Sequence, residues 1–363
     1  MPGAPQTIER LSRHELTSPA YRQLAAERFG AGNWEAHVRY ARWLFDENPA
    51  SRRDQPLPIF VCRYGHQWVG QMGVIPVDGR FDGISLRGGW CVDLFVLPDY
   101  QRRRVGENLA TAVQHDFPLS LTLGQTDSAY GLACHLGWCA AGSLTRYRRL
   151  LRPLSGVAKK AMEKAGLASL AHARFTGSTA PEMPALPNIL IEPVTSFADI
   201  ADQHRDLRGA AGPPMRIGRT AAFMQWRYCD HPFFRYTVRR LMIAGHGEAY
   251  AVWRLIDDGL WRRASLVDLV CPGGLPQALI AQITALVTDC IRADGAEIFD
   301  CQTSDAAVLA ALGTQPFSRT EPGMRFLYRH GAGPTPVPAT AEAWRLYAGD
   351  GDADTHMARR IHP

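Results

Sequence analysis

The stretch VDLFVLPDYQRRRVGENLATAV, from Val92 to Val113, joins a strand, a polar loop and a helix in immediate succession. The strand is rich in β-branched and aromatic residues and ends at Pro98. The helix has an apolar stripe that includes Leu109. Because a helix N-terminus offers unpaired backbone N–H groups and the positive end of the helix dipole, we predict that this unit binds a diphosphate without a metal.

The loop between the strand and the helix is strongly basic. Arg102, Arg103 and Arg104 lie between Gln101 and Gly106. Arginine pairs well with phosphate oxygens, and a glycine lets the backbone approach a ligand closely. An arginine triplet alone is more often a solvated surface feature, so it is the flanking strand and helix that favour phosphate binding here.

This unit resembles motif A of the GNAT acyltransferase superfamily, in which Gln or Arg is followed by two residues, Gly, one residue, and Gly or Ala. Gln101 and Gly106 match the motif, and Arg104 stands where the first glycine usually lies. The resemblance extends from about residue 20 to residue 150. It implies that the chain binds acetyl-CoA or another acyl-CoA as co-substrate and transfers the acyl group directly to an amine of a small molecule, with no metal.

The resemblance also implies cofactor contacts residue by residue. The backbone of Leu94, Phe95 and Val96 would pair with the pantetheine arm, and the amide of Val96 would polarise the thioester carbonyl. Thr126 stands where the family often has an asparagine that touches the cofactor. The pyrophosphate would be bound by the loop and first helical turn, which comprise Gln101, Arg102, Arg103, Arg104, Val105, Gly106 and Glu107.

A base must remove a proton from the acceptor, since an alkylammonium ion has a pKa of about 10.4. Asp93 directly precedes the expected pantetheine contacts and is the candidate base. The alternative is an aspartate that braces the strand, because Asp268 repeats it in the second half of the chain.

The general acid of the resembled family is frequently a tyrosine four residues before the glycine of a Gly-Phe pair. Here Gly137 and Trp138 form the pair, and position 133 is alanine. Cys134 and Tyr130, one helical turn apart, are the candidates that remain. For Cys134 the alternative is a small buried hydrophobe.

The two halves share three landmarks in the same order, which indicates an internal duplication. We therefore predict an α/β (α+β) fold of two tandem GNAT-like domains, each a mixed, largely antiparallel sheet flanked by helices. The landmarks are Trp43, Phe45 and Pro49 with Trp226, Tyr228 and Pro232; Val92-Asp93-Leu94 with Val267-Asp268-Leu269; and Gln125-Thr126 and Gly137 with Gln302-Thr303 and Gly313.

The predicted domains span residues 1–152 and 188–330. A Pro/Gly-rich linker over residues 153–187, with a helix whose basic face is exposed, joins them, and residues 331–363 form a tail. The second domain has a Gly-Pro turn in place of the arginine loop, so we expect it to shape the acceptor pocket or brace the first domain.

The tail contains Asp350, Asp352 and Asp354, but Thr355 and Ile361 occupy the positions where a calcium-binding EF-hand loop needs glycine and glutamate. We expect a solvated tail or a strap that docks Trp344 on the body.

Composition limits the function further. The eight cysteines form no CxxC pair and predict reduced thiols in a cytoplasmic protein, and no apolar run is long enough to span a membrane. A net charge of +5 without a recognised nucleic-acid module makes a nucleic-acid partner an unfavoured interpretation. Two alternatives stay open beside the acyltransferase: a Fem-type aminoacyl-tRNA-dependent transferase, which also resembles two tandem GNAT folds, and a non-catalytic acyl-CoA sensor.

Overall fold

The computed structural model describes residues 6–81, 84–152, 159, 161, 164–165, 186–208, 215–257, 260–320, 323–331 and 337–355. These residues form two mixed sheets, one of eight strands and one of seven, with helices packed against them. The predicted fold class is confirmed.

The first half of the chain contributes seven strands and four helices. The strands are β1 (Gln6–Arg10), β2 (Ile59–Tyr64), β3 (Gln67–Phe81), β4 (Ile84–Val96), β5 (Leu119–Leu123), β6 (Cys139–Ser143) and β7 (Thr145–Leu150). The helices are α1 (Pro19–Phe29), α2 (Val38–Ala41, continued by a π-helical turn, Arg42–Asp46), α3 (Val105–Asp116) and α4 (Asp127–His135).

The second half repeats this layout. Its strands are β8 (Ile189–Val194), β9 (Met215–Ile217), β10 (Thr237–Ile243), β11 (Gly247–Asp257), β12 (Arg262–Val270), β13 (Ile298–Thr303), β14 (Ser318–Thr320) and β15 (Arg325–His330). Its helices are α5 (Ala221–Met224, continued by a π-helical turn, Gln225–Cys229), α6 (Gln277–Ala293) and α7 (Ala306–Gly313).

The sheets exchange strands between the halves. The first sheet runs β1-β2-β3-β4-β5-β15-β6, with β9 paired to β3, and the second runs β14-β7-β13-β12-β11-β10-β8. The chain changes sheet at Leu144, where its N–H donates to the carbonyl oxygen of Met324 (2.9 Å). Gly323 permits this crossing, because a Cβ there would lie 1.6 Å from the carbonyl oxygen of Leu144. Strand pairing therefore crosses the predicted boundary at residue 152.

The two π-helical turns meet at a pseudo-symmetric contact. The indole N–H of Trp43 donates to the carbonyl oxygen of Trp226 (2.9 Å), and the indole N–H of Trp226 donates to that of Trp43 (2.8 Å). The rings stack with centroids 5.1 Å apart. Each tryptophan thus satisfies its buried donor through the partner half. This reciprocity agrees with the predicted duplication.

Little of the predicted linker lies within the described residues. Lys159 is one exception: it is buried, and its Nζ donates to Glu297 Oε2 (2.6 Å) and to the carbonyl oxygen of Leu260 (2.8 Å). The expectation of an exposed basic face is therefore wrong at this position. A lysine that far from solvent needs a carboxylate partner, which a sequence pattern does not reveal.

Candidate active site

A gap between β4 and β5 creates the site. These parallel strands pair only from Gly88–Leu119 to Trp90–Leu121, although both continue beyond that point. Opposite β3, the register shifts so that Asp93 and Leu94 form a bulge. Asp93 adopts a left-handed conformation with φ of 54°. The bulge turns β4 away from its neighbour, and the sheet opens into a cleft.

A groove of about 510 Å³ occupies the outer part of this cleft, along the loop before α3. Nine of the eleven predicted cofactor-binding residues line it: Leu94, Val96, Gln101, Arg102, Arg104, Val105, Gly106, Glu107 and Thr126. Arg103 does not, since its guanidinium lies over the ring of Tyr100, 5.3 Å from the centroid. The Phe95 side chain does not line the groove either and packs on the opposite face of the sheet, against the core around α1 and α2.

The backbone of the loop runs along the groove. Arg102 and Arg104 adopt left-handed conformations, with φ of 60° and 59°, which cost a non-glycine residue about 1–2 kcal/mol each. The side-chain amide of Gln101 donates to the carbonyl oxygen of Val96 (3.2 Å) and fastens the loop to the strand. Within the described part of the chain, the amides of residues 102–107 donate to no other group. Such a ring of free amides suits an anion.

Val96 also directs its amide into the groove. The N–H of Leu97 donates to the carbonyl oxygen of Val69 (2.9 Å), so the adjacent pair, Val96 with Gly70, is a non-hydrogen-bonded pair of the antiparallel ladder. The N–H of Val96 therefore points away from β3. A Cβ on Gly106 would lie 3.4 Å from the Leu132 side chain and 4.0 Å from that of Val96, which are ordinary contacts, so the backbone here could also carry an alanine.

A second cavity of about 370 Å³ continues the groove toward the second half of the chain, and Leu94, Thr126, Ala129 and Leu132 line both. Asp93 lies on its wall, and its role as a base stays a prediction. The remaining polar wall groups were not predicted from the sequence. They include Arg28, Cys91, Gln125, Trp138 and Asp352.

Two groups near Asp93 stay protonated. Burial and the Asp93 charge raise the pKa of Tyr21, and burial raises the pKa of Cys91 to about 12. At neutral pH Cys91 is therefore a thiol, whereas a cysteine nucleophile must be a thiolate. Among the described residues of the cavity wall Cys91 is the one cysteine, and as a thiol it is not poised to act as a nucleophile.

The structure does not bring the two predicted general-acid candidates to the site. Cys134 is exposed, and Tyr130 lies under the guanidinium of Arg325, 4.5 Å from the ring centroid. The face of α4 that lines the cavity carries Ala129, Leu132, Ala133 and Leu136 instead. Helical spacing placed Tyr130 and Cys134 together but did not determine which face of α4 turns inward.

In the second sheet the corresponding cleft is filled by the chain itself. Strands β12 and β13 are also parallel and separate after Leu266–Cys301. The tail enters there: the carbonyl oxygen of Leu346 accepts from the N–H of Ser304 (2.9 Å), and the N–H of Gly349 donates to the carbonyl oxygen of Val267 (2.8 Å). The tail is thus a strap, with Trp344 fully buried.

Asp268, the counterpart of Asp93, is paired with an arginine in this filled cleft. Arg219 forms a buried ion pair with it, and the hydroxyl of Tyr228 donates to its Oδ2 (2.9 Å). Arg219 also binds Asp350 of the tail at 2.7 Å. Among the described residues, the tail and this buried ion-pair cluster thus occupy the second cleft.

Residues 18–121 match the family model described as the Acetyltransferase (GNAT) family. The chain carries a GNAT domain. The matched segment includes the bulged strand, the arginine loop and α3, so the family assignment and the groove concern the same residues. A search of curated proteins finds no match.

Solved structures share the fold over about 90% of this chain, which extends well beyond the segment that matches the family model. One is a GCN5-related N-acetyltransferase from Kribbella flavida, with 14% identity over 90% of this chain and 71% of that chain and a TM-score of 0.56. Another is a probable N-acyltransferase of unknown function from Enterococcus faecalis, with 11% identity, 89% and 72% coverage and a TM-score of 0.55. A third is a Saccharomyces cerevisiae N-myristoyltransferase with bound myristoylCoA, with 10% identity, 90% and 83% coverage and a TM-score of 0.54. At these identities the likeness shows the fold alone.

Two further searches of the described residues gave negative results. They contain no helix long and apolar enough to cross a membrane. They also contain no group of three or more His, Cys, Asp or Glu side chains placed to hold a metal ion.

Proposed function

We propose that the protein is an N-acyltransferase that moves an acyl group directly from acyl-CoA to an amine of a small molecule. The observation that carries this proposal is the continuity of two spaces. A groove lined by the arginine loop opens into a cavity that contains Asp93, and the two share the wall at Leu94 and Thr126. A bound thioester would lie at this junction, between the cofactor side and the acceptor side.

Each group of residues has a separate role in this proposal. The free amides of residues 102–107, with Arg102 and Arg104, hold the pyrophosphate, and the amide of Val96 stabilises the charge that develops on the thioester oxygen. Asp93 accepts the proton of the acceptor ammonium, so that the neutral amine attacks the acyl carbon. The carbon–sulfur bond then breaks, the sulfur leaves as a thiolate, and the nitrogen of the new amide loses its second proton to water.

The absence of a tyrosine at position 133 is compatible with this reaction. A thiol has a pKa of about 8.5, so a thiolate leaves near neutral pH with little help from an acid. Alanine at this position also leaves more room beside the thioester, because Ala133 lines the acceptor cavity.

The test is acetyl-CoA binding by calorimetry, followed by thiol release with a panel of polyamines, amino acids and amino sugars. Saturable binding with amine-dependent thiol release supports the proposal. Binding without release from any amine would favour the sensor, and failure to bind any acyl-CoA would refute the cofactor assignment. A cytoplasmic location remains part of the proposal, supported by eight free thiols.

A further inference from the structure

The cavity beside the cofactor groove reaches both faces of the first sheet. On one face its wall belongs to the apolar core between the sheet and helices α3 and α4. Five residues of that core, each between 3% and 8% exposed, line an apolar lobe of the cavity: Met72, Cys91, Ala110, Ala133 and Trp138. On the other face the wall includes Arg28 of α1 and Val92, which belongs to the core around α1 and α2. The gap between β4 and β5 therefore joins the apolar lobe to space on the α1 face.

The apolar lobe continues directly from the cofactor groove. Ala129 and Leu132 line both spaces, whereas Ala133 and Leu136 line the cavity alone. These residues follow one another at helical spacing, so a single face of α4 runs from the groove along the lobe. A chain attached at the junction of groove and cavity has this continuous wall to follow.

The length of the wall indicates how long such a chain is. Seven residue steps separate Ala129 from Leu136, which corresponds to about 10 Å at a helical rise of about 1.5 Å per residue. An extended chain of single bonds advances about 1.2 Å per bond, as it does in an extended peptide, so the wall accommodates about eight bonds. The cavity volume of about 370 Å³ is typical of a site for a small organic molecule. An acetyl group would leave most of this space empty.

Alanine side chains keep the lobe open. Ala110 on α3 and Ala133 on α4 both line it, and each side chain ends at its Cβ. The tyrosine that the resembled family frequently has at position 133 would extend a ring into the lobe. Apolar cavities exclude water and bind apolar ligands, since the ligand gains free energy from the surface that it buries.

We propose, building on the acyltransferase function, that the co-substrate is an acyl-CoA with a chain of about six to eight carbons and that the apolar lobe holds this chain. The thioester lies at the junction with the groove, and the chain extends along α4 towards Leu136. The acceptor approaches from the α1 face, so that acceptor and acyl chain occupy opposite faces of the sheet within one cavity.

The experiment measures binding of coenzyme A and of acetyl-, butanoyl-, hexanoyl-, octanoyl- and dodecanoyl-CoA to the full-length protein by calorimetry. In the wild type each added methylene should tighten binding about threefold to fourfold until the chain has about eight carbons, and dodecanoyl-CoA should gain nothing further. Ala133→Leu adds about three carbon atoms to the wall of the lobe, so the gain should end about three carbons earlier. Cys134→Leu, at the exposed neighbouring position on α4, is the matched control and should keep the wild-type dependence on chain length.

Two outcomes would overturn the assignment: equal affinity of the wild type for acetyl-CoA and octanoyl-CoA, or a wild-type dependence on chain length in Ala133→Leu. The affinity for coenzyme A, which has no acyl chain, is measured first and shows whether each variant retains its fold and groove. If Ala133→Leu does not fold, Ala110→Val narrows the lobe from the α3 side and takes its place. A wild type that binds neither coenzyme A nor acetyl-CoA would refute the proposed function, whereas acetyl-CoA binding without a gain from longer chains refutes this inference alone.

Discussion

Replacing Arg102 and Arg104 together by alanine tests the cofactor groove most directly. Both side chains line the groove beside the free amides of the loop. Alanine keeps the Cβ, so the left-handed conformations cost the same in the variant and only the two charges are removed. The expected result is weaker coenzyme A binding with unchanged stability.

The expected loss of binding free energy depends on how exposed the arginine side chains are. A hydrogen bond to a charged group contributes about 1.5–3 kcal/mol, but the Arg104 side chain is 80% exposed and solvent screens it. About 1 kcal/mol for each arginine gives about 2 kcal/mol for the pair, or about a 30-fold rise in Kd. The wild-type affinity should also fall more steeply with salt than that of the variant.

Arg103 provides the matched control, because it has the same charge and lies in the same loop but stacks over Tyr100. Calorimetry with coenzyme A should find Arg103→Ala within about twofold of the wild type. An unchanged Kd in the double variant would refute the groove assignment. An equal loss in Arg103→Ala would show that net charge matters and the geometry does not.

Three further substitutions test other parts of the structure. Asp93→Asn should lower the rate at neutral pH and alter the pH profile if Asp93 is the base; lower stability with an unchanged rate would instead indicate a structural aspartate. Burial lowers the pKa of His231 from 6.5 to about 2, so between these pH values the unfolded chain binds a proton that the folded chain does not. The free energy of unfolding should therefore fall by about 1.4 kcal/mol for each pH unit below about pH 6.5. His231→Asn should flatten that slope in denaturant titrations at several pH values; a slope equal to that of the wild type would contradict the assignment. Gly349→Ala would place a Cβ 2.6 Å from the Tyr228 hydroxyl and should destabilise the protein by about 1–3 kcal/mol. Its control is Gly131→Ala, in open space on α4, which should be neutral or stabilising. Equal thermal midpoints for the two variants would argue against the docked tail.

The sequence predicted those features that depend on residues close together in the chain. The strand, the arginine loop and the stripe of Leu109 on α3 follow from composition and periodicity, and a groove lies along the loop in the structure. The duplication was also readable, because Trp43 and Trp226 are followed by an aromatic residue and a proline at the same spacing in each half.

The acceptor side could not be predicted in the same way, because it depends on contacts between distant segments. Nothing near Asp352 in sequence indicates that it lines the same cavity as Asp93, since this depends on the ion pairs of Asp350 with Arg219 and of Asp354 with Arg227. Likewise, the spacing of Tyr130 and Cys134 predicts a shared helix face, but the packing of α4 determines that this face turns outward.

The exchange of strands has a consequence for how such a chain can change over generations. Because β15 lies between β5 and β6, the first sheet takes an internal strand from the second half, and β7 fills the reciprocal place in the other sheet. A deletion that removed the half without a cofactor cleft would split the sheet that bears the groove and leave unpaired edges on both sides of the break. The second half is therefore retained because the sheet that bears the groove needs its strand, even where the surface residues of that half change.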